Sequence, residues 1–117
     1  MNDLKIKFKS ISPKYFEDFK KLSIKDLIFD DTGAILIVDK LNKIGILTDG
    51  DVRRGIDRYG LNAEPHQLIN WNPVLIKNCS SNEIHKKCNV IFKENKNINV
   101  IPIIKDDESI DFAYKSH

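Results

Sequence analysis

Little in this chain could build a covalent or metal scaffold. Its only cysteines, Cys79 and Cys88, stand nine positions apart, too few for a disulfide framework or a zinc site. The three histidines are scattered, and His85 beside Cys88 supplies at most two ligands. The sequence therefore offers no metal site, and either cysteine reads best as a small buried apolar residue. Long apolar runs are missing too: none approaches the roughly 20 residues of a membrane span. The opening MNDLKIKF lacks the apolar centre of an export signal, so the expected location is cytoplasmic, with no membrane partner. Charge of one sign is also absent. A formal charge of +2, with Lys and Asp/Glu interspersed, argues against nucleic acid as a partner. Lys5 to Lys9 and Lys86-Lys87 read as solvated faces.

What is present belongs to an ordinary globular chain. Its 117 residues, 41% hydrophobic and 31% charged, suffice for one compact domain with a modest core. Leu4 to Ile11 alternates apolar and polar residues, the period of a half-buried strand. Ser12-Pro13 predicts a helix start, with Ser as cap and Pro in the first turn. Tyr15, Phe16, Phe19, Leu22 and Leu27 give that helix an apolar stripe. It is expected to break near Ser23 and to end at Asp30-Asp31-Thr32-Gly33. Ala34 to Val38 is a continuous apolar run, Asp39 to Lys43 a tight turn, and Ile44 to Leu47 the return strand of an antiparallel hairpin.

Thr48 opens a second helix, which carries Val52 and Ile56 and stops near Tyr59-Gly60. Leu61 to Asn72 is a mixed connector with a helical turn around Pro65 and with Trp71 as packing. Val74 to Lys77 then reads as a strand, and Ser80-Ser81-Asn82 caps a helix reaching toward Lys96 with a buried stripe of Ile84, Cys88, Ile91 and Phe92. Asn97 to Ile104 is another apolar strand, Asp106-Asp107 its turn, and Ser109 to Tyr114 its return. The order strand, helix, strand, strand, helix thus occurs once in full and recurs about 65 residues later without its last helix. Pro102 cannot donate to a ladder, so it marks a strand edge or a place where a ligand approaches the backbone.

The densest chemistry lies in Lys43 to Arg54, KIGILTDGDVRR. A helix starting at Thr48 points its unpaired N–H groups and the positive end of its dipole past the strand end, where a phosphate can bind. Thr48 offers a hydroxyl there, and Asp51, one turn in, can accept both hydroxyls of a ribose. Gly45 and Gly50 allow close approach of backbone and ligand, and Arg53 or Arg54 can add charge-assisted bonds to phosphate oxygens. The plainer reading is a capping box, Thr48-x-x-Asp51, in which the two side chains satisfy each other's backbone N–H. On spacing alone the cap has the advantage. Asp49 and Asp51 also pair two carboxylates, but no nucleophile or orienting His accompanies them, so no catalytic residue is assigned.

These residues resemble the cystathionine-beta-synthase (CBS) domain. The resemblance spans nearly the whole chain and is most specific at Gly45-Ile46-Leu47-Thr48-Asp49-Gly50-Asp51. The fuller string GILTDGDVRRGI is similar to CBS pairs attached to sugar-phosphate nucleotidyltransferases and sugar-phosphate isomerases. Asn72-Pro73-Val74 looks like the opening of a second repeat, and Ile101-Pro102-Ile103 like the family's apolar-Pro-apolar strand. The resemblance implies an α+β fold of two β-α-β-β-α repeats packed as a pseudo-symmetric pair (a Bateman module), residues 1–70 with the connector and 71–117, the second truncated. It implies a non-catalytic regulatory module without a cofactor, binding AMP, ADP or ATP in the inter-repeat cleft. A homodimer is implied, with a fused or partner nucleotidyltransferase under its control. Carried over by motif, Thr48 would meet phosphate and Asp51 the ribose, while Val74, Ile76, Ile101 and Pro102 would line a base pocket.

The chain also departs from the family. Ile35-Leu36-Ile37 lacks the proline of the equivalent strand, and Ser109 to Lys115 has no Thr-x-x-Asp and no helix after it. At most one cleft keeps polar anchors. The stop at His117 suggests the regulatory fragment of a longer enzyme, or a module that has lost its last helix. A competing expectation is a CBS-type dimerisation module that binds no ligand.

Overall fold

The computed structural model describes residues 5–77 and 79–116; Leu4, read above as the start of the first strand, lies outside the described residues. The chain forms two compact units, one of Ser12–Pro73 and one that joins Met1–Ile11 to Val74–His117. The first strand, β1 (Lys5–Ile11), is therefore not part of the unit that follows it. It pairs antiparallel with the last strand, β7 (Ile110–Ser116), from Lys5 opposite Ser116 to Ile11 opposite Ile110. By this pairing β1 covers the edge that β7 would otherwise leave bare.

The Ser12–Pro73 unit opens with a two-residue strand, β2 (Lys14–Tyr15), parallel to β3 (Ala34–Val38), which pairs antiparallel with β4 (Ile44–Thr48). The β2 ladder displaces the helix expected from Ser12-Pro13. Helix α1 is only Phe16–Phe19, its N-cap is Tyr15, and no side chain caps it. A short 3-10 turn, Ile24–Asp26, follows, closed by a capping box between Ser23 and Asp26. Extended backbone takes Tyr15 out of the predicted stripe and leaves it 65% exposed, whereas Phe19 is buried. Phe19, Ile37, Leu47, Val52 and Ile69 make the core, with Phe16, Leu22, Leu27 and Trp71 packed at its margin. Helix α2 (Asp49–Tyr59) stops at Gly60, whose φ of 81° and ψ of −174° suit glycine alone. The connector returns to the sheet at Asn70, which exchanges two 2.9 Å backbone hydrogen bonds with Ile46.

The other unit holds a four-stranded sheet in the order β1-β7-β6-β5, with β5 (Ile76–Lys77) parallel to β6 (Val100–Ile104) and β6 antiparallel to β7. The strand predicted over Val74 to Lys77 thus pairs through its last two residues. Helix α3 (Ser81–Glu94) is capped by Ser80, whose Oγ accepts the Glu83 N–H at 3.4 Å. It lays Cys88 and Phe92 on Ile76, Ile101, Ile103 and Ala113.

The two hairpins are copies of each other. β3 starts at residue 34 and β6 at 100, β4 at 44 and β7 at 110, a constant offset of 66. Register agrees as well, with Ala34 opposite Thr48 and Val100 opposite Tyr114. Both turns close alike: Asp39 N–H donates to Lys43 O and Lys105 N–H to Ser109 O. A left-handed residue precedes the return strand in each, Asn42 at φ 60° and Glu108 at φ 68°.

Candidate functional site

At the start of α2 the polar groups are largely engaged with one another. The Asp51 N–H donates to Thr48 Oγ1 and the Thr48 N–H to Asp51 Oδ2, both at 3.1 Å. The capping box is therefore formed. The second Asp51 oxygen, Oδ1, accepts Arg54 Nη2 at 2.7 Å. Arg54 lies three residues on and folds back over the helix start, where its guanidinium would meet a Cβ on Gly50 at 3.3 Å. Arg53 is exposed and makes no such contact. Spacing explains the difference, because only the residue three positions after Asp51 shares its face.

A further contact continues the β3–β4 register past Ala34 and Thr48. The turn Asp30 to Gly33 abuts the helix start, and its Gly33 carbonyl accepts the Asp49 N–H at 3.0 Å. Gly33, at φ 71°, also lies close beside the Asp49 carboxylate. Two acids in the first turn complement the helix dipole, and Arg54 offsets one of them. Among the described residues, the Gly50 N–H and the Thr48 hydroxyl proton have no partner. These two donors, with Arg54, are what an incoming anion would meet.

Gly45 serves a different purpose from Gly50. A Cβ there would lie 2.6 Å from Ile69 Cγ2 and 2.8 Å from Trp71 Cε3. The close approach at this glycine is made by the chain's own connector. Trp71 in turn stacks edge-on against Phe16, ring centroids 5.7 Å apart, which fits its reading as packing.

The residues expected to line a base pocket lie in the other unit and divide by exposure. Ile76 and Ile101 are committed to its core against α3, and Val74 is 45% exposed. Pro102 is fully buried in the middle strand of the sheet, not at an edge. The fold tolerates it there. Hydrogen bonds from Lys105 N–H to Ser109 O and from Lys115 N–H to Asn99 O set the bonded pairs at odd-numbered positions of β6, so Pro102 needs no donor toward β7. On its other side, pairing with β5 begins only at Ile103.

The remaining candidates are quiet. Cys88 is wholly buried, and desolvation pushes its thiol up from 9.0 to about 11. Cys79 is partly exposed; its thiol donates to Lys77 O at 3.3 Å and accepts Lys87 Nζ at 3.0 Å. Among the described residues no group of three or more His, Cys, Asp or Glu could hold a metal ion. No helix among them is long and apolar enough to cross a membrane.

No protein-family model and no curated protein matches the chain. Among solved structures it is similar to a CBS-domain containing protein from Agrobacterium tumefaciens, with a TM-score of 0.57 at 14% identity over 91% of this chain and 79% of that one. The fold is accordingly the α+β fold of CBS-domain proteins. OpuCA of Staphylococcus aureus gives a TM-score of 0.46 at 15% identity, over 91% of this chain and 87% of that one. A CBS domain protein from Pyrobaculum aerophilum complexed with AMP gives 0.48 at 12%, over 67% and 59%. Both likenesses are too weak to bear on the fold.

Proposed function

We propose that this chain is a non-catalytic regulatory module, built of two CBS-type repeats, that binds an adenosine nucleotide at the start of α2. One observation carries the reading. Asp51 Oδ1 is held by an exposed arginine, while Thr48 Oγ1 and the Gly50 N–H keep unused donors beside it. An exposed ion pair contributes at most about 1 kcal/mol, so a ribose diol replaces Arg54 on Asp51 at little cost. The displaced guanidinium then joins Thr48 and Gly50 on a phosphate. The capping bonds from Thr48 N–H to Asp51 Oδ2 and back need not break. The bound nucleotide regulates by favouring one of two arrangements of a controlled enzyme, through its different affinity for each. Similarity of GILTDGDVRRGI to CBS pairs on sugar-phosphate nucleotidyltransferases makes such an enzyme, fused or separate, the proposed target.

Calorimetry with AMP, ADP and ATP is the test. We expect saturable heat for at least one of them and its loss in Asp51→Ala. Folded protein that gives neither heat nor a thermal shift at millimolar nucleotide would rule the reading out.

A second reading has its own support. Every oxygen of Asp51 already has a partner, and Tyr114 occupies in the second hairpin the register position that Thr48 holds in the first. A module so arranged can serve as a dimerisation unit without ligand. It predicts a dimer by light scattering that ignores nucleotide and persists when Thr48 and Asp51 are both replaced by Ala.

A further inference from the structure

The unit that carries α3 contains a groove apart from the start of α2; of the residues the resemblance assigns to a base pocket, it shares Ile76. It lies between the edge strand β5 and α3 and measures about 400 Å3. That size falls within the roughly 300–1,000 Å3 of small-molecule sites. Leu75, Val90 and Ile91 give it an apolar wall, and Ile76 forms part of its floor. Lys77, Lys86 and Lys87 stand around the same hollow. The helix builds this contrast by spacing: Lys86 with Val90, and Lys87 with Ile91, are four-residue pairs on one face. One half of the stripe is cationic and the next turn apolar.

Two features distinguish this groove from an ordinary solvated helix face. Val90 is a large apolar side chain left 52% exposed within it. None of the three lysines makes a close ion pair with a carboxylate among the described residues; Lys87 holds the Cys79 sulfur and feels the Glu83 carboxylate one turn back on the helix. A cationic ligand would be repelled, and a neutral apolar one would leave Lys77 and Lys86 without a counter-charge. We propose that this groove binds a small organic anion with an apolar body, its head held by Lys77, Lys86 and Lys87 and its body laid on Leu75, Val90 and Ile91. Ammonium groups act as point charges without the planar fork of arginine, so a carboxylate and a phosphate ester both serve as the head.

Methyl and amide NMR of the full chain tests this, with octanoate and octyl phosphate as probes and octanol and octylammonium as controls. Saturable shifts centred on Leu75, Val90 and Ile91 are expected with both anions. Octanol, octylammonium, and the anions on the Lys86→Glu/Lys87→Glu variant should each bind roughly tenfold more weakly or worse. The lysines are exposed, so the variant should fold, and Lys86→Gln/Lys87→Gln serves if it does not. Absence of saturable shifts at millimolar anion, equal binding of octanol, or undiminished binding by the charge variants overturns the proposal. A parallel AMP titration followed at the Gly50 and Asp51 amides reports on the nucleotide reading separately, so either idea can fail alone.

Discussion

Gly45 and Gly50 sit in one motif, yet the structure gives them opposite sensitivities. At Gly45 the atoms in the way belong to Ile69 and the Trp71 ring, at 2.6 Å and 2.8 Å from an added Cβ, and both are held by the core. Gly45→Ala should therefore destabilise by about 1–3 kcal/mol through overpacking. At Gly50 the nearest atom is the Arg54 guanidinium at 3.3 Å, the free end of a flexible chain. Gly50→Ala should stay within about 0.5 kcal/mol of the parent, since helix propensity offsets the small displacement. Urea denaturation of the two variants side by side checks the contrast. Cys88 gives a second prediction at this scale. Its thiol resists ionisation up to about 11, against 9.0 ordinarily. The unfolded chain thus loses the proton first, and the contribution present below pH 9 falls away as pH rises toward 11. The loss should be of order 2 kcal/mol, and Cys88→Ala should lack this part of the alkaline decline. Alkylation should meanwhile reach Cys79 in the native state and Cys88 only after unfolding, as mass spectrometry would show.

The elements are held by local chemistry in some places and by distant pairing in others, and this decides what the sequence reveals. Thr48-x-x-Asp51 and the Ser80 cap were legible because each is closed within four residues. Both hairpins were legible for the same reason, and their matching turns can be tested by exchange. Asn42 and Glu108 occupy the left-handed region, which Asn adopts at lower cost than Glu. Glu108→Asn should stabilise by roughly 0.5 kcal/mol and Asn42→Glu should cost a similar amount, readable as opposite shifts in denaturant midpoint. The second turn is also acid-sensitive: the Ser109 hydroxyl and N–H hold the Asp107 carboxyl below its ordinary 3.8. Its contribution is present above that value and lost as pH falls. What stayed hidden in the sequence was non-local. Lys14-Tyr15 reads as a helix start until β3, more than twenty residues on, supplies a parallel partner. The candidate site was legible in the same measure: Thr48 and Asp51 could be read as a pair, and the Gly33 carbonyl that takes the Asp49 N–H continues the hairpin register one pair past Ala34 and Thr48.

For the whole molecule, the strand that opens the chain belongs to the unit that closes it. Seven residue pairs join β1 to β7, and Ile6 packs against the core of Ile76, Cys88, Phe92, Ile101, Ile103 and Ala113. Nothing in the alternation of Leu4 to Ile11 names that partner, since period fixes a strand's faces and not its neighbour. The pairing has a mechanical consequence. Removing Met1–Ile11 would strip the edge of β7 of its hydrogen bonds and take Ile6 from the core, while the Phe19, Ile37, Leu47, Val52 and Ile69 cluster contains no residue of the deleted segment. Local stabilities in one chain need not fall together. Hydrogen exchange on the chain lacking residues 1–11 should therefore show the largest loss of protection in β6, β7 and α3, at the far end of the sequence. The amides of β3, β4 and α2, which are nearer the cut in sequence, should lose less. Equal loss in both sets would mean that the two units unfold as one, and a larger loss in β3 and β4 would contradict the β1–β7 pairing.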